Sequence, residues 1–318
     1  MKTKLLAVVG PTASGKTALS IALAKALDGE IVCCDSMQIY DGMDVGTAKP
    51  TAEEQDGVPH HLFGFADPTK EFNCADYATI AKDKAREIAA RGKLPIFCGG
   101  TGLYLDAVLR SGDFSPCPAD EACRDGLKRQ LAEEGAEALH RELAACDPES
   151  AAAIHPNNTV RVMRALEIYR LSGIPKSEWD RRSQTYGSEF DLTAVGLHYN
   201  DRSLLEDRIN RRVELMLAEG LEQEVRRLLS AGKLTEGGGS KAIGYKEMMD
   251  YIRGEETLET AAEKIKLATR RYSKRQMTWF RSHGNVFWID ADEPDGRGEM
   301  RAFDAILSDA LAYIKGKQ

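Results

Sequence analysis

The stretch "GPTASGKT", Gly10 to Thr17, constrains this chain more than any other. Gly10, Gly15, Lys16 and Thr17 satisfy G-x-x-x-x-G-K-[ST] without a mismatch. The apolar run "LLAVV" precedes it and the helical-looking "ALSIALAKAL" follows. A strand–loop–helix of this kind aims backbone N–H groups and a helix N-terminus at an anion. In that context a chance glycine turn is a poor explanation. Lys16 adds positive charge, and the Thr17 hydroxyl can ligate Mg²⁺ bridging phosphate oxygens. The commonest occupant of such a loop is ATP or another nucleotide, so the phosphate's owner has to come from the rest of the chain.

The surrounding pattern gives the fold class. Lys4 to Val9, "EIVCCDS" and "LPIFCGGTGLY" read as buried strands, the last running into a glycine turn. They alternate with helices over Lys16–Leu27 and "NCADYATIAKDKAREIAARG". This predicts an α/β fold: a P-loop-type parallel sheet with helices on both faces. Ligands of such sheets bind past the carboxyl ends of the strands, where Thr12 to Thr17, Asp35 and Thr101 fall. From "SPCPADEACRD" onward only helices are predicted, among them "DPESAAAIH", capped by Asp147 with Pro148 at its first position, and "TVRVMRALEIYRLSG". "DLTAVGLHY" then returns as a strand, followed by a helix capped by Asp201, and "TEGGGS" reads as a flexible loop. The expected domains are a P-loop α/β core over 1–115 and 192–318 and an all-helical insertion over 116–191.

Bulk properties narrow the class. The chain has 318 residues, 42% hydrophobic and 29% charged, as in an ordinary soluble globular protein. No apolar run suits a membrane span, and no signal peptide is expected after "MKTKLLAVVG". Cys33, Cys34, Cys74, Cys98, Cys117, Cys123 and Cys146 are odd in number and contain no C-x-x-C pair, which disfavours a disulfide scaffold or zinc site and suits the cytoplasm. His60 and His61, as neighbours in a strand, point to opposite faces and read as structural.

Three features keep alternatives open. Asp35 can hold Mg²⁺ through water, act as a general base, or cap the turn that "DS" begins. "GGTGLY", Gly99 to Tyr104, either approaches a ligand, with Thr101 offering a hydroxyl, or packs a strand against a helix. "TRRYSKRQMTWFR" carries Arg270, Arg271, Lys274, Arg275 and Arg281 with no acid, in a chain whose formal net charge is −7. Its i,i+4 spacing sets the charges in adjacent rows, either to meet a polyanion or as a solvated face. Ala268, Tyr272 and Trp279 are expected to pack inward. Arg161, Arg164 and Arg170 form a second basic group, and Arg208, Arg211 and Arg212 a third.

Together with "DSMQIYDGMDVGTAKP", "PHHLFG", "CGGTGLY", "IHPNNTVRVMRALEIY", "RINRRVELMLAEGLEQEV", "KAIGYKE" and the basic stripe, the P-loop resembles the tRNA dimethylallyltransferases, also called tRNA isopentenyltransferases. The motifs run in order to about Asp290. The resemblance implies that Gly10, Pro11, Thr12, Ala13, Ser14, Gly15, Lys16 and Thr17 bind the diphosphate of dimethylallyl diphosphate, with Arg212, and that Thr17 takes Mg²⁺. It implies that Asp35 is the general base and that Thr101 lies near the bridging oxygen. It implies tRNA contacts at Asp35, Ser36, Met37, Gln38, Thr101 and Arg124; at Val160, Arg161, Val162, Met163 and Arg164; at Lys241, Gly244, Tyr245 and Lys246; and at Arg270, Arg271, Lys274 and Arg275. The implied partners are tRNA, gripped at the anticodon stem-loop, and dimethylallyl diphosphate, with a monomeric cytoplasmic chain and no membrane. The family usually has Asn-Asp where this chain has Asn157-Asn158, and Asn158 is expected still to cap its helix. With no zinc-finger extension after the last motif, the resemblance is to the bacterial branch.

Overall fold

The computed structural model describes residues 2–110, 120–185, 188–235, 238–282, 285–292 and 301–317. These fall into two compact units, 1–108 with 189–318, and 109–188.

The first unit is built on apolar runs buried on both faces, as parallel strands require. Strands β1 (Thr3–Val9), β2 (Gly29–Cys33), β3 (His60–His61), β4 (Leu94–Cys98), β5 (Phe190–His198) and β6 (Val286–Asp290) form one sheet in the order β3-β2-β4-β1-β5-β6. Every pairing is parallel, with Leu6 opposite Ile96 and Thr193, and Val8 opposite Cys98 and Val195. Leu6, Val8, Ile96 and Val195 join one core with Leu19 and Leu23 of helix α1 (Lys16–Leu27) and Ile306 and Ala310 of α13 (Phe303–Lys317). Helix α2 (Cys74–Ala90) covers other strand positions, its Tyr77 hydroxyl donating to the Cys33 carbonyl at 2.7 Å. Asn73 caps α2 by accepting from the Ala75 and Asp76 N–H groups. The "GLY" of the second glycine turn opens α3 (Gly102–Leu109).

Beyond β5 come α9 (Arg202–Ala218), α10 (Leu221–Ser230), a 3₁₀ turn at Gly238–Lys241, α11 (Tyr245–Ile252) and α12 (Leu258–Ser282). Tyr245, Met248, Val225, Leu228 and Ile265 close a second core here with Ile39 and Met43. The reading of "TEGGGS" as a flexible loop needs correction. Glu236 and Gly237 lie outside the described residues, but Gly238 and Gly239 are buried. Gly239 N–H donates to Pro68 O at 2.9 Å, and a Cβ there would sit 2.3 Å from Met43 Sδ. Gly238 and Gly239 permit the close approach of Pro68 and Met43.

The helical unit comprises α4 (Glu121–Glu134), α5 (Ala136–Cys146), α6 (Pro148–Ala153), α7 (Thr159–Ser172) and α8 (Lys176–Thr185). Leu127, Leu139, Leu143, Val162, Ala165 and Leu166 make its core. The expected start at 116, with Cys117, lies outside the described residues. The sheet resumes two residues before the expected 192, because buried Phe190 already pairs with Thr3. Asn158 stands at the start of α7 without a side-chain cap bond, correcting that expectation.

Asp147 does more than cap. It is buried, one carboxylate oxygen accepting from Ser150 N and the other from Ser177 N, both at 3.0 Å. Burial pushes its pKa up, but these hydrogen bonds outweigh it and hold the group below the usual carboxylate range. Its contribution is therefore full near neutrality and is lost as pH falls through that lowered value. Asp147→Ala should destabilise the helical unit by about 2 kcal/mol and flatten its acid dependence, measured by amide exchange across α6 and α8 as a function of pH. Wild-type protection in the variant would contradict this.

Candidate functional site: a phosphate cradle at the sheet's carboxyl edge

The loop between β1 and α1 turns through the left-handed region at Gly10 (φ 139°), Ala13 (φ 63°) and Gly15 (φ 97°). A Cβ on Gly10 would lie 2.6 Å from the Leu197 carbonyl oxygen, so only glycine fits. Ala13 adopts its conformation without that freedom, and neighbours hold it there. Arg208 Nε donates to Ala13 O at 2.8 Å, and Ala13 packs on Leu205 and Ile209. The Tyr199 hydroxyl donates to Ser14 O at 3.5 Å. Helix α1 starts from Gly15 with no side-chain cap, which leaves its first N–H groups for an anion.

The loop opens on a cavity of about 50 Å³. Thr12, Lys16, Thr17, Asp35, Gly99, Arg212 and Gln276 line it, together with the apolar Ile31, Pro50 and Phe63. Lys16 Nζ donates to Pro11 O at 2.8 Å. Its pKa is lowered to about 8: burial is the main cause and Arg212 adds to it, against the opposing pull of Cys98 and Asp35. Burial also lowers the Arg212 pKa, while Asp35 opposes this; a guanidinium stays charged regardless. Arg212 Nη2 donates to Ala48 O at 3.5 Å.

Asp35 and Thr101 stand just past β2 and β4. Asp35 Oδ1 accepts from Met37 N at 2.9 Å, so the turn-capping reading is realised, and the same side chain lines the cavity. Thr101 Oγ1 accepts from Ser36 N at 3.0 Å and donates to Ser36 Oγ at 3.3 Å. Thr17 and Asp35 thus offer a hydroxyl and a carboxylate to one cavity. That donor set fits Mg²⁺ sharing its shell with phosphate oxygens and water. Nearby, His60 Nδ1 donates to Val58 O at 2.8 Å, and His61 Nε2 meets Glu30 Oε2 at 2.6 Å.

Gln276 is the residue that sequence reasoning missed. It is buried on α12, where its Oε1 accepts from Thr12 N at 2.9 Å and its Nε2 donates to Gly100 O at 3.1 Å. One amide therefore ties the cradle to the second glycine turn. The available signal was a neutral polar residue on the inward row of the basic stripe, four positions from Phe280, which is also buried. The packing reading of "GGTGLY" holds as well. A Cβ would fall 1.9 Å from Gln276 Nε2 at Gly100 and 2.0 Å from Trp279 Cδ1 at Gly102.

On the outward row of α12, Arg271, Lys274, Arg275 and Arg281 are exposed. Arg270 is half-buried and donates to Asn210 Oδ1 at 2.7 Å, while Arg275 lies over the Tyr272 ring. Lys246 is exposed, Lys241 pairs with Glu71 at 2.7 Å, and Gly244 N–H donates to Glu247. Tyr245 corrects the expected tRNA contact: its side chain is fully buried and its hydroxyl is bonded to Glu224. Val162 corrects another, since it belongs to the helical unit's core and is 1% exposed. Val160, by contrast, is 72% exposed, and Arg161 is exposed beside it. Met163 packs on the same core as Val162. Arg124 and Arg164 both pair with the buried Glu167, at 2.9 and 2.6 Å.

Residues 38–283 match the IPP transferase family model, and residues 3–61 match that of isopentenyl transferase. The chain belongs to the IPP transferase family. A relative from Geobacillus thermodenitrificans (strain NG80-2), a tRNA dimethylallyltransferase, is 48% identical over 317 residues, covering 100% of this chain and 98% of its own length. Among solved structures, the full-length tRNA isopentenylpyrophosphate transferase from Bacillus halodurans superposes with a TM-score of 0.73 at 46% identity, over 99% of this chain and 97% of that one. A eukaryotic dimethylallyltransferase, solved acting on tRNA, gives 0.77 at 31% identity over 91% of this chain and 74% of that one. As an IPP transferase the chain is a prenyltransferase, carrying the family's parallel α/β fold. Among the described residues, no helix is long and apolar enough to cross a membrane.

The lowered Lys16 pKa sets a pH dependence for the cradle. Below about pH 8 the amine is already charged. Above it, an arriving anion raises the pKa and binding must take up a proton. Affinity for diphosphate should fall by up to about tenfold per pH unit above that value. Calorimetry in buffers of different ionisation enthalpy reads the proton directly; a flat profile, or the same slope in Lys16→Ala, would contradict it.

Proposed function

We propose that the protein transfers a dimethylallyl group from dimethylallyl diphosphate to the exocyclic amine of the adenosine 3′ of the tRNA anticodon, releasing diphosphate. The observation that carries this reading is the cavity itself. Its lining brings a phosphate cradle, two cationic side chains and a carboxylate together with the apolar side chains of Ile31, Pro50 and Phe63. A nucleotide kinase would share the cradle, but the relation to tRNA dimethylallyltransferases and the apolar side chains in the lining favour an allylic diphosphate.

In this reading a bond forms between the adenine nitrogen and C1 of the allyl group as the bond from C1 to the bridging oxygen breaks. The electron pair leaves on diphosphate. Loop N–H groups, Lys16 and Arg212 stabilise that developing charge, which is where preorganised donors contribute most. Mg²⁺, held by Thr17 and the diphosphate oxygens, would supply further positive charge. Asp35 takes the proton from the amine, and Thr101 lies toward the bridging oxygen. The adenine has to leave its stack to reach an enclosed site, which costs less in a single-stranded loop than in a duplex. The exposed cations of α12, with Lys246 and Arg161, are proposed to meet tRNA phosphates. The substrate makes this a cytoplasmic activity, and we propose a monomer.

The test is incubation with labelled dimethylallyl diphosphate, Mg²⁺ and undermodified tRNA. Label reaching tRNA without ATP supports the reading; ATP consumption without label transfer rejects it. Asp35→Ala should slow single-turnover transfer by about 10²- to 10⁴-fold while tRNA affinity stays within about twofold of wild type. Near-normal transfer would remove Asp35 as the base.

A further inference from the structure

Glu224, in the first turn of α10, is a buried carboxylate outside the cavity lining. Its Oε2 accepts the N–H groups of Asp44 and Val45, both at 2.9 Å. Its Oε1 accepts Gly46 N–H at 3.0 Å and the Tyr245 hydroxyl at 2.5 Å. Four donors thus fill the carboxylate's acceptor sites. Three of them are consecutive backbone groups of one loop, which the carboxylate holds as a unit. Burial, then the neighbouring carboxylate, pushes the Tyr245 phenol's pKa up, keeping it a donor. Gly46 lies flat on Tyr245, and a Cβ there would be 2.5 Å from the ring.

The held loop leads directly to the cavity. Thr47 Oγ1 donates to Met43 O at 2.7 Å, closing the turn. The Thr47 and Ala48 carbonyls then each accept from Gln38 Nε2 at 3.0 Å, and Ala48 O also receives Arg212 Nη2. Gln38, Thr47, Pro50 and Arg212 all line the cavity. Arg212 is a long side chain with many rotamers, and a fixed carbonyl limits them.

We propose that Glu224 and Tyr245 are positioning residues for the phosphate site, holding residues 44–48 so that the Thr47 and Ala48 carbonyls orient Gln38 and Arg212 toward a bound diphosphate. The inference rests on the phosphate-binding part of the proposed function and is independent of which organic group the diphosphate carries. Removing the carboxylate orphans three N–H groups, releases the loop, and loosens its hold on Gln38 and Arg212.

The test uses the full chain and inorganic diphosphate with Mg²⁺ as probe, so that it reads the cavity and not the prenyl group. Glu224→Ala should weaken diphosphate binding by about tenfold or more, with a parallel rise in KM for dimethylallyl diphosphate. Glu224→Gln keeps one acceptor oxygen but turns an NH₂ toward the loop donors, and should fall between wild type and Glu224→Ala. A role confined to fold stability would lower the unfolding temperature and the active fraction while leaving the diphosphate Kd and the KM of folded molecules unchanged. Gly46→Ala serves if Glu224→Ala does not fold: it retains the carboxylate but pushes the loop off the Tyr245 ring, and should also weaken diphosphate binding. A folded Glu224→Ala, or in its absence Gly46→Ala, with a diphosphate Kd within twofold of wild type overturns the proposal. Wild type that binds diphosphate but passes no label to tRNA would instead count against the prenyl-transfer reading and leave this result legible.

Discussion

Two hydrogen bonds from the Gln276 amide hold the cradle and the second glycine turn at fixed separation. One takes the Thr12 N–H and the other supplies the Gly100 carbonyl. The spacing of the cradle and the second glycine turn depends on that bridge being short. It is short because the facing backbone carries no side chains. Gly99 leaves room for the Cys34 backbone, Gly100 for Gln276 itself and Gly102 for the Trp279 ring. A buried amide with both ends satisfied specifies one arrangement, because any shift strands a donor or an acceptor. The same helix that bridges inward presents exposed cations outward. A displacement of α12 would therefore move the inner wall of the phosphate site and the charged outer face together.

The electrostatics of the cavity follow from its walls. Lys16 and Arg212 are both held where burial disfavours their charge. Such groups lose hydration on folding and recover interaction energy when an anion arrives. Asp35 is the carboxylate among them, and its cap on Met37 N–H fixes its direction. The cavity lining thus combines groups suited to negative charge with the apolar side chains of Ile31 and Phe63.

Much of this was legible in the sequence for physical reasons. Strand and helix periods in "LLAVV" and Lys16–Leu27 are local, and so is the backbone requirement behind Gly10 and Gly15. Asp147 and Asp201 were readable as caps because capping acts within three residues. What was not legible acts over long separations in the chain. Gln276 bonds to residues more than a hundred positions away, and its place inside a basic stripe masked it. Tyr245 sat in a motif associated with RNA, yet its partner is Glu224 in the core. Val162 stands between exposed Arg161 and half-buried Met163, and only helix packing determines that it turns inward. Gly238 and Gly239 of "TEGGGS" resembled a linker, and the backbone of Pro68 and the side chain of Met43 lie against them.

The central claim is that the Gly10–Thr17 cradle holds the diphosphate of an allylic ester. Its most direct test is a crystal structure of the full chain grown with a non-hydrolysable thio-analogue of dimethylallyl diphosphate, Mg²⁺ and an equal concentration of ATP. The account predicts diphosphate density within hydrogen-bonding distance of the loop N–H groups, Lys16 and Arg212, with the five-carbon group against Ile31 and Phe63. A nucleoside triphosphate in that cradle, with the allylic analogue absent or bound elsewhere, would contradict it.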